Sequence, residues 1–224
     1  NETVLEGTAA TAGDDTVTAP VVAGASGARL DGFTIRGGRA ENGGGMWNNG
    51  ASPRVANCRF EDNRAIGTAT LEGNGGAIFN SNRATPIITN CTFINNRADW
   101  TGGAVSNFQR SNAIITGSEF IENRANAGGA VFNNLSSGPM TNCRFAGNQA
   151  MDMGEQAGFG GALYNLGRLP DQFIPEPDIT DPAINNCIFA ENSATGFGGA
   201  VFGAEARGRF GNCTLVDNTA ALGA

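Results

Sequence analysis

A two-part motif recurs six times along this 224-residue chain, and it constrains the fold more than any other feature. Each copy opens on a glycine pair followed by an apolar run, and closes on a pattern close to Asn-Cys-x-Phe-x-x-Asn-Arg-Ala. The openings begin at Gly43, Gly75, Gly102, Gly128, Gly160 and Gly198. Their spacing varies from 26 to 38 residues while the motif is kept, which is typical of a solenoid whose loops tolerate insertions.

The motif also predicts the kind of solenoid. Short runs such as Asn-Cys-Arg-Phe alternate with a period of two residues, as strands do, and signals for helices are absent. We therefore expect an all-β fold, a single-stranded right-handed parallel β-helix (β-solenoid) of about seven coils with three short faces per coil. Residues 1–224 would form one domain, with an N-terminal coil at 1–40, six repeats at 41–220, and loop insertions at 151–159 and 166–182.

An incomplete unit precedes the six repeats. The segment 30–40 aligns with 55–65, which places Phe33 in the position of the repeat cysteine and Ile35 in that of the repeat phenylalanine. Further upstream, the segments 3–5 and 16–22 resemble short strands around a turn at Asp14 and Asp15.

Cysteine and phenylalanine alternate in the closing half of the motif, so both should point inward from one strand. The cysteine column consists of Cys58, Cys91, Cys143, Cys187 and Cys213, with Ser118 in the remaining coil. The phenylalanine column consists of Phe60, Phe93, Phe120, Phe145 and Phe189. A thiol site or disulfides between adjacent coils are one interpretation, but the replacement by serine favours a buried ladder of small side chains.

An asparagine column follows the phenylalanines and marks a corner of the coil. It consists of Asn63, Asn96, Asn123, Asn148, Asn192 and Asn218. Asparagine tolerates left-handed backbone and can hydrogen-bond along a stack of identical amides, so we expect a structural ladder. Ligand binding is the alternative for this column.

The glycine pairs and the arginines also form columns. The glycine pairs precede strands, which favours close backbone approach at a tight corner over a phosphate-binding loop. Arginine forms a column at Arg39, Arg64, Arg97 and Arg124, in which Gln149, Ser193 and Thr219 take the later places. Acidic residues stand two positions before members of this column, at Asp62, Glu122, Glu191 and Asp217. This arrangement predicts ion pairs between coils, and a stripe that grips an acidic polysaccharide is the alternative.

Composition narrows the function classes. The formal net charge of −7 and the pI of about 4.6 disfavour nucleic acid and anionic membranes as partners. Histidine and lysine are both missing, which removes the commonest general base, the commonest metal ligand and the usual Schiff-base residue. No stretch approaches the roughly 20 apolar residues of a membrane helix, so we expect no membrane insertion by this chain.

Two further sequence features lie in the loops and beside the cysteines. The acidic segment 171–181 could hold Ca²⁺, although it lacks the spacing of a calcium-binding loop, and we expect no metal, cofactor or catalytic residue. Glycosylation sequons begin at Asn1, Asn90, Asn134 and Asn212. We expect Asn90 and Asn212 to be inaccessible, because each precedes a core cysteine.

The pairing of Gly-Gly-Ala-(Ile/Val/Leu) with Phe-x-x-Asn, from Leu30 to Ala220, resembles the signature repeat of the polymorphic outer-membrane-protein family. That resemblance implies a bacterial surface protein with a β-helical passenger domain, and several members of the family are implicated in adhesion. It covers the repeats alone, so we expect a passenger, a fragment or a separate secreted subunit. The family offers no catalytic residues to carry over.

Three functions remain in competition. The first is a non-enzymatic extracellular or cell-surface structural protein that assembles head to tail with itself through the open β-helix ends, with Val4, Leu5, Leu215 and Leu222 as candidate assembly residues. The second is an adhesin fragment that binds a surface glycan or protein. The third is a lyase or hydrolase acting on acidic polysaccharides, which is suggested only by analogy of fold.

Overall fold

The computed structural model describes residues 2–7, 17–68, 73–152, 156–167 and 180–222. One strand, β1 (Thr3–Glu6), comes first, and the strands after it group into coils of four. The first coil has β2 (Val22–Ala23), β3 (Arg29–Asp31), β4 (Phe33–Arg36) and β5 (Arg39–Ala40). The second coil has β6 (Met46–Asn49), β7 (Arg54–Ala56), β8 (Arg59–Glu61) and β9 (Arg64–Ala65). The third coil has β10 (Ile78–Ser81), β11 (Ile87–Thr89), β12 (Thr92–Ile94) and β13 (Arg97–Ala98).

The remaining four coils repeat this arrangement. The fourth has β14 (Val105–Asn107), β15 (Ile114–Thr116), β16 (Glu119–Ile121) and β17 (Arg124–Ala125). The fifth has β18 (Val131–Asn134), β19 (Met140–Thr141), β20 (Arg144–Ala146) and β21 (Gln149–Ala150). The sixth has β22 (Leu163–Leu166), β23 (Ala183–Asn185), β24 (Ile188–Ala190) and β25 (Ser193–Ala194). The seventh has β26 (Val201–Ala204), β27 (Arg209–Gly211), β28 (Thr214–Val216) and β29 (Thr219–Ala220).

Equivalent strands of successive coils pair in parallel and form four sheets. We name them by the position of the strand in its coil, so that sheet 1 contains β2 and sheet 4 contains β5. Sheets 1, 2 and 4 have seven strands each in the described part of the chain, and sheet 3 has eight because β1 adds to it. The predicted parallel β-helix of about seven coils is therefore confirmed.

The expectation of three faces per coil is wrong, since each coil carries four strands. The fourth is the two-residue strand after the ladder asparagine, such as Arg64–Ala65. This strand is separate from sheet 3 because the chain bends just before that asparagine. The residue at the bend has left-handed backbone, for example Asp62 with φ 54°. A second bend lies before the cysteine, where Asn57 has φ 50°.

The core runs along the axis of the solenoid as columns of inward side chains. Sheet 2 contributes one column, which runs Leu30, Val55, Ile88, Ile115, Met140, Ile184 and Phe210. The aligned unit at 30–40 is confirmed, because Ile35 pairs in register with Phe60. Upstream, β1 agrees with the expected strand, while the expected turn at Asp14 and Asp15 lies outside the described residues.

Candidate functional site

The cysteine column lies inside the coil, at the bend between sheets 2 and 3. All five thiols are free, and Cys58, Cys91, Cys143 and Cys187 are buried while Cys213 in the last coil is partly exposed. The Cys58 thiol donates to the Ala56 carbonyl at 3.1 Å, and the Ser118 hydroxyl donates to the Thr116 carbonyl at the same distance. Serine therefore replaces cysteine as an equivalent donor, which explains the column as a structural ladder without disulfides.

Hydrogen bonds between neighbouring thiols shift the pKa of the two partners in opposite directions, lowering that of Cys58 and Cys143 and raising that of Cys91 and Cys187. The hydrogen bond with the Cys58 sulfur, and then burial, raise the pKa of Cys91 above its ordinary value. The same two causes, with Cys143 as the partner, raise the pKa of Cys187. A thiol with a raised pKa carries little thiolate at neutral pH, so Cys91 and Cys187 are poor nucleophiles and poor metal ligands.

The phenylalanine column forms a continuous stack in sheet 3. Ring centroids of successive members lie 5.2, 4.8, 4.7 and 4.7 Å apart from Phe60 to Phe189, and the ring planes differ by 13° at most. All five rings are fully buried. The column continues as Ile35 and Leu5 at the N-terminal end and as Leu215 at the C-terminal end.

The asparagine column is a hydrogen-bonded ladder, as its repetition predicts. The side-chain amide of each member donates to the carbonyl oxygen of the next, for example from Asn63 to Asn96 at 3.0 Å and from Asn123 to Asn148 at 3.0 Å. The backbone N–H of Asn63 donates to the same Asn96 oxygen at 3.1 Å. Left-handed backbone was expected at these asparagines, but it occurs instead at the residue before each, such as Asp62.

A second asparagine ladder was not predicted. It lies in sheet 1, is buried throughout, and runs Asn48, Asn80, Asn107, Asn133 and Asn165, with amide-to-oxygen distances of 2.8 to 2.9 Å. The sequence signal was visible in the opening motif, where an asparagine stands four residues after the second glycine, as in Gly76 and Asn80. Asn48 Oδ1, at the N-terminal end, is buried and has no hydrogen-bond partner among the described atoms.

The glycine pairs lie where the chain turns from sheet 4 into sheet 1. Gly128 has φ 66°, and a Cβ on it would lie 2.2 Å from the Val131 carbonyl oxygen. A Cβ on Gly129 would lie 2.1 Å from the Gly161 carbonyl oxygen of the next coil. The pair therefore allows a tight corner and close stacking, as the sequence predicts, and strands rather than helices follow it.

The arginine column is in register in sheet 4, but its ion pairs differ from those expected. Arg64 pairs with Asp99 at 3.4 Å, and Arg97 approaches the same carboxylate at 3.6 Å. Asp62 and the other acidic residues expected as partners occupy the left-handed bends instead. A shallow recess of about 70 Å³ lies between Arg97, Arg124 and Asp152, which gives the stripe a mixed charge.

The loop candidates give a mixed result. Of the acidic segment 171–181, the positions 171–179 lie outside the described residues, and Asp181 pairs with Arg209 at 3.2 Å. Among the described residues, no three acidic, cysteine or histidine side chains are grouped to hold a metal ion. The expectation that Asn90 and Asn212 are inaccessible is wrong, because their left-handed backbone (φ 52° and 51°) turns the side chains to the surface.

An outward aromatic row is a further feature that the sequence analysis missed. It occupies the second position of the sheet 1 strands and consists of Trp47, Phe79, Phe132, Tyr164 and Phe202. In the fourth coil this position is Ser106, and the ring of Phe108 contacts Phe79 and Phe132 instead. Most of the row is covered, but Trp47 is 38% exposed. The sequence pattern that indicates this row is an aromatic residue directly before the sheet 1 asparagine, as at Trp47.

The two ends of the solenoid are the places where the inward columns meet solvent. In the last coil Leu215 is 55% exposed and Phe210 is 45% exposed, although both occupy inward columns. Together with Gly198, Val201 and Asn218, Leu215 lines an open concavity of about 300 Å³. Of the other candidate assembly residues, Leu222 is 62% exposed and Leu5 is half-buried in the inward column.

Val4 lies on the opposite face of β1 from Leu5, in register with Thr34. Its side chain therefore points away from the core. Within the described residues, no helix has the length and apolarity needed to cross a membrane.

The fold and these columns define a class of protein. The family model described as the right-handed β-helix region matches residues 15–168 and 69–223, which together span nearly the whole chain. The chain therefore belongs to the right-handed β-helix family, and the predicted right-handed coil is confirmed. No curated protein and no solved structure matches the chain.

Proposed function

We propose that this chain is a non-enzymatic structural protein of the cell surface or extracellular space, and that it assembles end to end into a filament. One observation carries the proposal. Within the described residues, the inward columns run through seven coils, and in the seventh coil their side chains face solvent, with Phe210 45% and Leu215 55% exposed. A further coil stacked on this end would remove that apolar surface from water, which favours association.

The direction of the strands makes such stacking geometrically simple. All pairs in the four sheets are parallel, so the C-terminal edge of one copy has the polarity needed to continue into the N-terminal edge of another. Exposed strand edges carry unpaired backbone N–H and C=O groups that a second copy can satisfy. A head-to-tail contact of this kind does not close on itself and therefore generates an open filament.

The repeated residues support a structural role over a catalytic one. Inward positions hold phenylalanine, cysteine, asparagine and aliphatic side chains, and the asparagines are hydrogen-bonded to one another. A glycoside hydrolase needs two carboxyl groups facing one bond, and a lyase needs a base beside a charged cluster. The inward columns offer neither, which is why we rank an acidic-polysaccharide enzyme below a structural protein.

The proposed location rests on the resemblance of the repeats to polymorphic outer-membrane proteins. That resemblance also supports the alternative function, an adhesin fragment that binds a surface glycan or protein. The partly exposed aromatic row, with Trp47 at one end, is the surface that would serve this alternative, because aromatic faces are common in recognition sites.

Negative-stain electron microscopy and light scattering near neutral pH test the filament. We expect long uniform threads from the wild-type chain and their loss in Leu215→Asp, because the substitution puts a charge into the column that must be buried. Ile188→Asp is the matched control, since Ile188 is 45% exposed on the outer face of the same sheet, one coil away. Circular dichroism would establish that both variants remain folded.

A wild-type chain that stays strictly monomeric at high concentration would overturn the filament. Equal loss of threads in Leu215→Asp and Ile188→Asp would show that the exposed end of the inward column is not what drives assembly. Either result shifts the proposal to the adhesin, for which glycan-array binding by wild type and Trp47→Ala is the corresponding test.

A further inference from the structure

The strands do not divide evenly among the sheets. In the described part of the chain, β2 to β29 make seven coils of four strands each, and β1 is one strand beyond these coils. It pairs with β4 at the N-terminal edge of sheet 3, where Leu5 lies over Ile35. Thr18 lies in the same way over Ala40, at the edge of sheet 4.

An uninterrupted spiral of two copies has only one arrangement. In that spiral the last described strand of one copy, β29, leads into β2 of the next, because sheet 1 follows sheet 4 in every described coil. In that arrangement β26 lies on β2, β27 on β3, β28 on β4 and β29 on β5. The places on β4 and β5 are those that β1 and Thr18 now occupy. The two sets of strands therefore compete for one position.

The side chains that would meet are matched. Continuing the inward columns places Val201 on Val22, Phe210 on Leu30, and Leu215 on Ile35. Leu30, Val22 and Val201 are only partly buried in the isolated copy, as expected for column ends that await a neighbour. β1 already puts a leucine, Leu5, in the place that Leu215 of a second copy would take.

β1 is held from one side only, by its pairing with β4 at the edge of sheet 3. Besides the four paired residues, Gly7 donates its N–H to the Arg36 carbonyl at 2.8 Å, and Arg36 forms an ion pair with Glu6 at 3.1 Å. That ion pair is exposed on both sides, and such pairs contribute little to stability. Thr34 also donates a hydrogen bond to the Glu2 carboxylate. An edge strand that is paired on one side, and whose apolar side chains Val4 and Leu5 are only half-buried, opens at a lower free-energy cost than a strand paired on both sides.

We infer that β1 is a displaceable cap, and that β28 and β29 of a second copy of this chain take its place on β4 and β5. The inference rests on the proposed end-to-end assembly and names the surface and the strands that form the contact. It also assigns opposite roles to two leucines of one column. Leu215 promotes assembly, whereas Leu5 restrains it.

The same substitution at the two leucines tests this assignment. Leu5→Asp weakens the docking of β1, so threads should form at a concentration at least about tenfold lower than for wild type. Leu215→Asp should abolish them. Val4→Ser, on the outer face of β1, is the control and should behave as wild type. Sedimentation of a dilution series measures the concentration at which threads first appear.

A disulfide that holds β1 on β4, and that can be reduced again, gives a second test. Val4 and Thr34 are in register on the outer face, and the strand spacing of about 4.8 Å suits a disulfide between cysteines at these positions. Val4→Cys with Thr34→Cys, in a Cys213→Ser background, should assemble when reduced and remain monomeric when oxidised. Serine is tolerated at position 213 because Ser118 occupies the same column.

The outcomes separate the cap from the filament. If Leu5→Asp loses threads as Leu215→Asp does, or if the oxidised pair assembles as well as the reduced one, β1 is part of the contact and the cap is overturned while the filament stands. If wild type, Leu5→Asp and the reduced pair are all monomeric, the filament itself fails.

Discussion

The fourth coil and the seventh coil carry the same repeat, yet they differ in what covers them. Phe120 is fully buried between Phe93 and Phe145, whereas Leu215, three coils later in the same column, is 55% exposed. The local sequence of each coil is sufficient to form strands and bends. Burial, however, comes from the neighbours on both sides, as in other solenoids where stability is a sum of interfaces between repeats.

The largest effect should come from breaking the phenylalanine stack at its centre. Phe120→Ala should lower the free energy of unfolding by about 3–5 kcal/mol, because a large cavity opens in a packed column. Leu215→Ala should cost no more than about 1 kcal/mol, since its side chain is mostly in water. Urea unfolding followed by circular dichroism, below the concentration at which threads form, measures both. Equal costs would mean that the end coil is covered in solution.

The asparagine ladder should show the same contrast with a smaller effect. Asn123→Ala removes the acceptor of the Asn96 backbone and side-chain N–H groups, both buried, and should cost about 3 kcal/mol. In Asn218→Ala the N–H groups that lose their acceptor belong to Asn192, beside the open end. Because water can replace the lost partner there, we expect the free energy of unfolding to fall by about 1 kcal/mol. Amide hydrogen exchange at Asn96 and Asn192 reports each loss directly. Similar acceleration at both amides would contradict the contrast.

The cysteine column allows the inner coils and the last coil to be compared by thiol reactivity instead of by the free energy of unfolding. Cys213 is partly exposed in the last coil, and a thiol reagent at pH 8 should modify it at least about tenfold faster than the buried members. Cys91 and Cys187 should remain unmodified, because hydrogen bonding to a neighbouring sulfur and burial raise their pKa. Mass spectrometry after brief labelling identifies the sites. Rapid labelling of Cys187 would show that the sixth coil opens readily.

Much of this structure could be predicted because each coil repeats its local chemistry. The phenylalanine and asparagine columns follow from residue spacing alone, since strand alternation fixes which side chains share a face. Their registers are found as expected, with Phe93 on Phe120 and Arg97 on Arg124. The serine at position 118 correctly indicated a structural column.

Other features depended on backbone angles that no pattern of side chains expresses. The fourth sheet arises from left-handed residues such as Asp62 and Glu122, which were interpreted as ion-pair partners of arginines. The sheet 1 asparagine ladder lies in the apolar opening half of the motif, and its amides are buried there because each finds a partner in the adjacent coil. The position of β1 beyond the seven described coils becomes apparent only when the strands of each sheet are assigned, and the sequence pattern does not assign them.

The two asparagine ladders also give the solenoid an electrical direction. In both, one amide N–H of each side chain donates toward the C-terminal end, and the side-chain carbonyl oxygen faces the N-terminal end. The amide dipoles therefore add along the axis, as peptide dipoles do in a helix, instead of cancelling as they nearly do across most sheets. The N-terminal end, where Asn48 Oδ1 has no hydrogen-bond partner among the described residues, is the negative pole. Two molecules aligned head to tail attract through these dipoles, whereas a head-to-head pair repels.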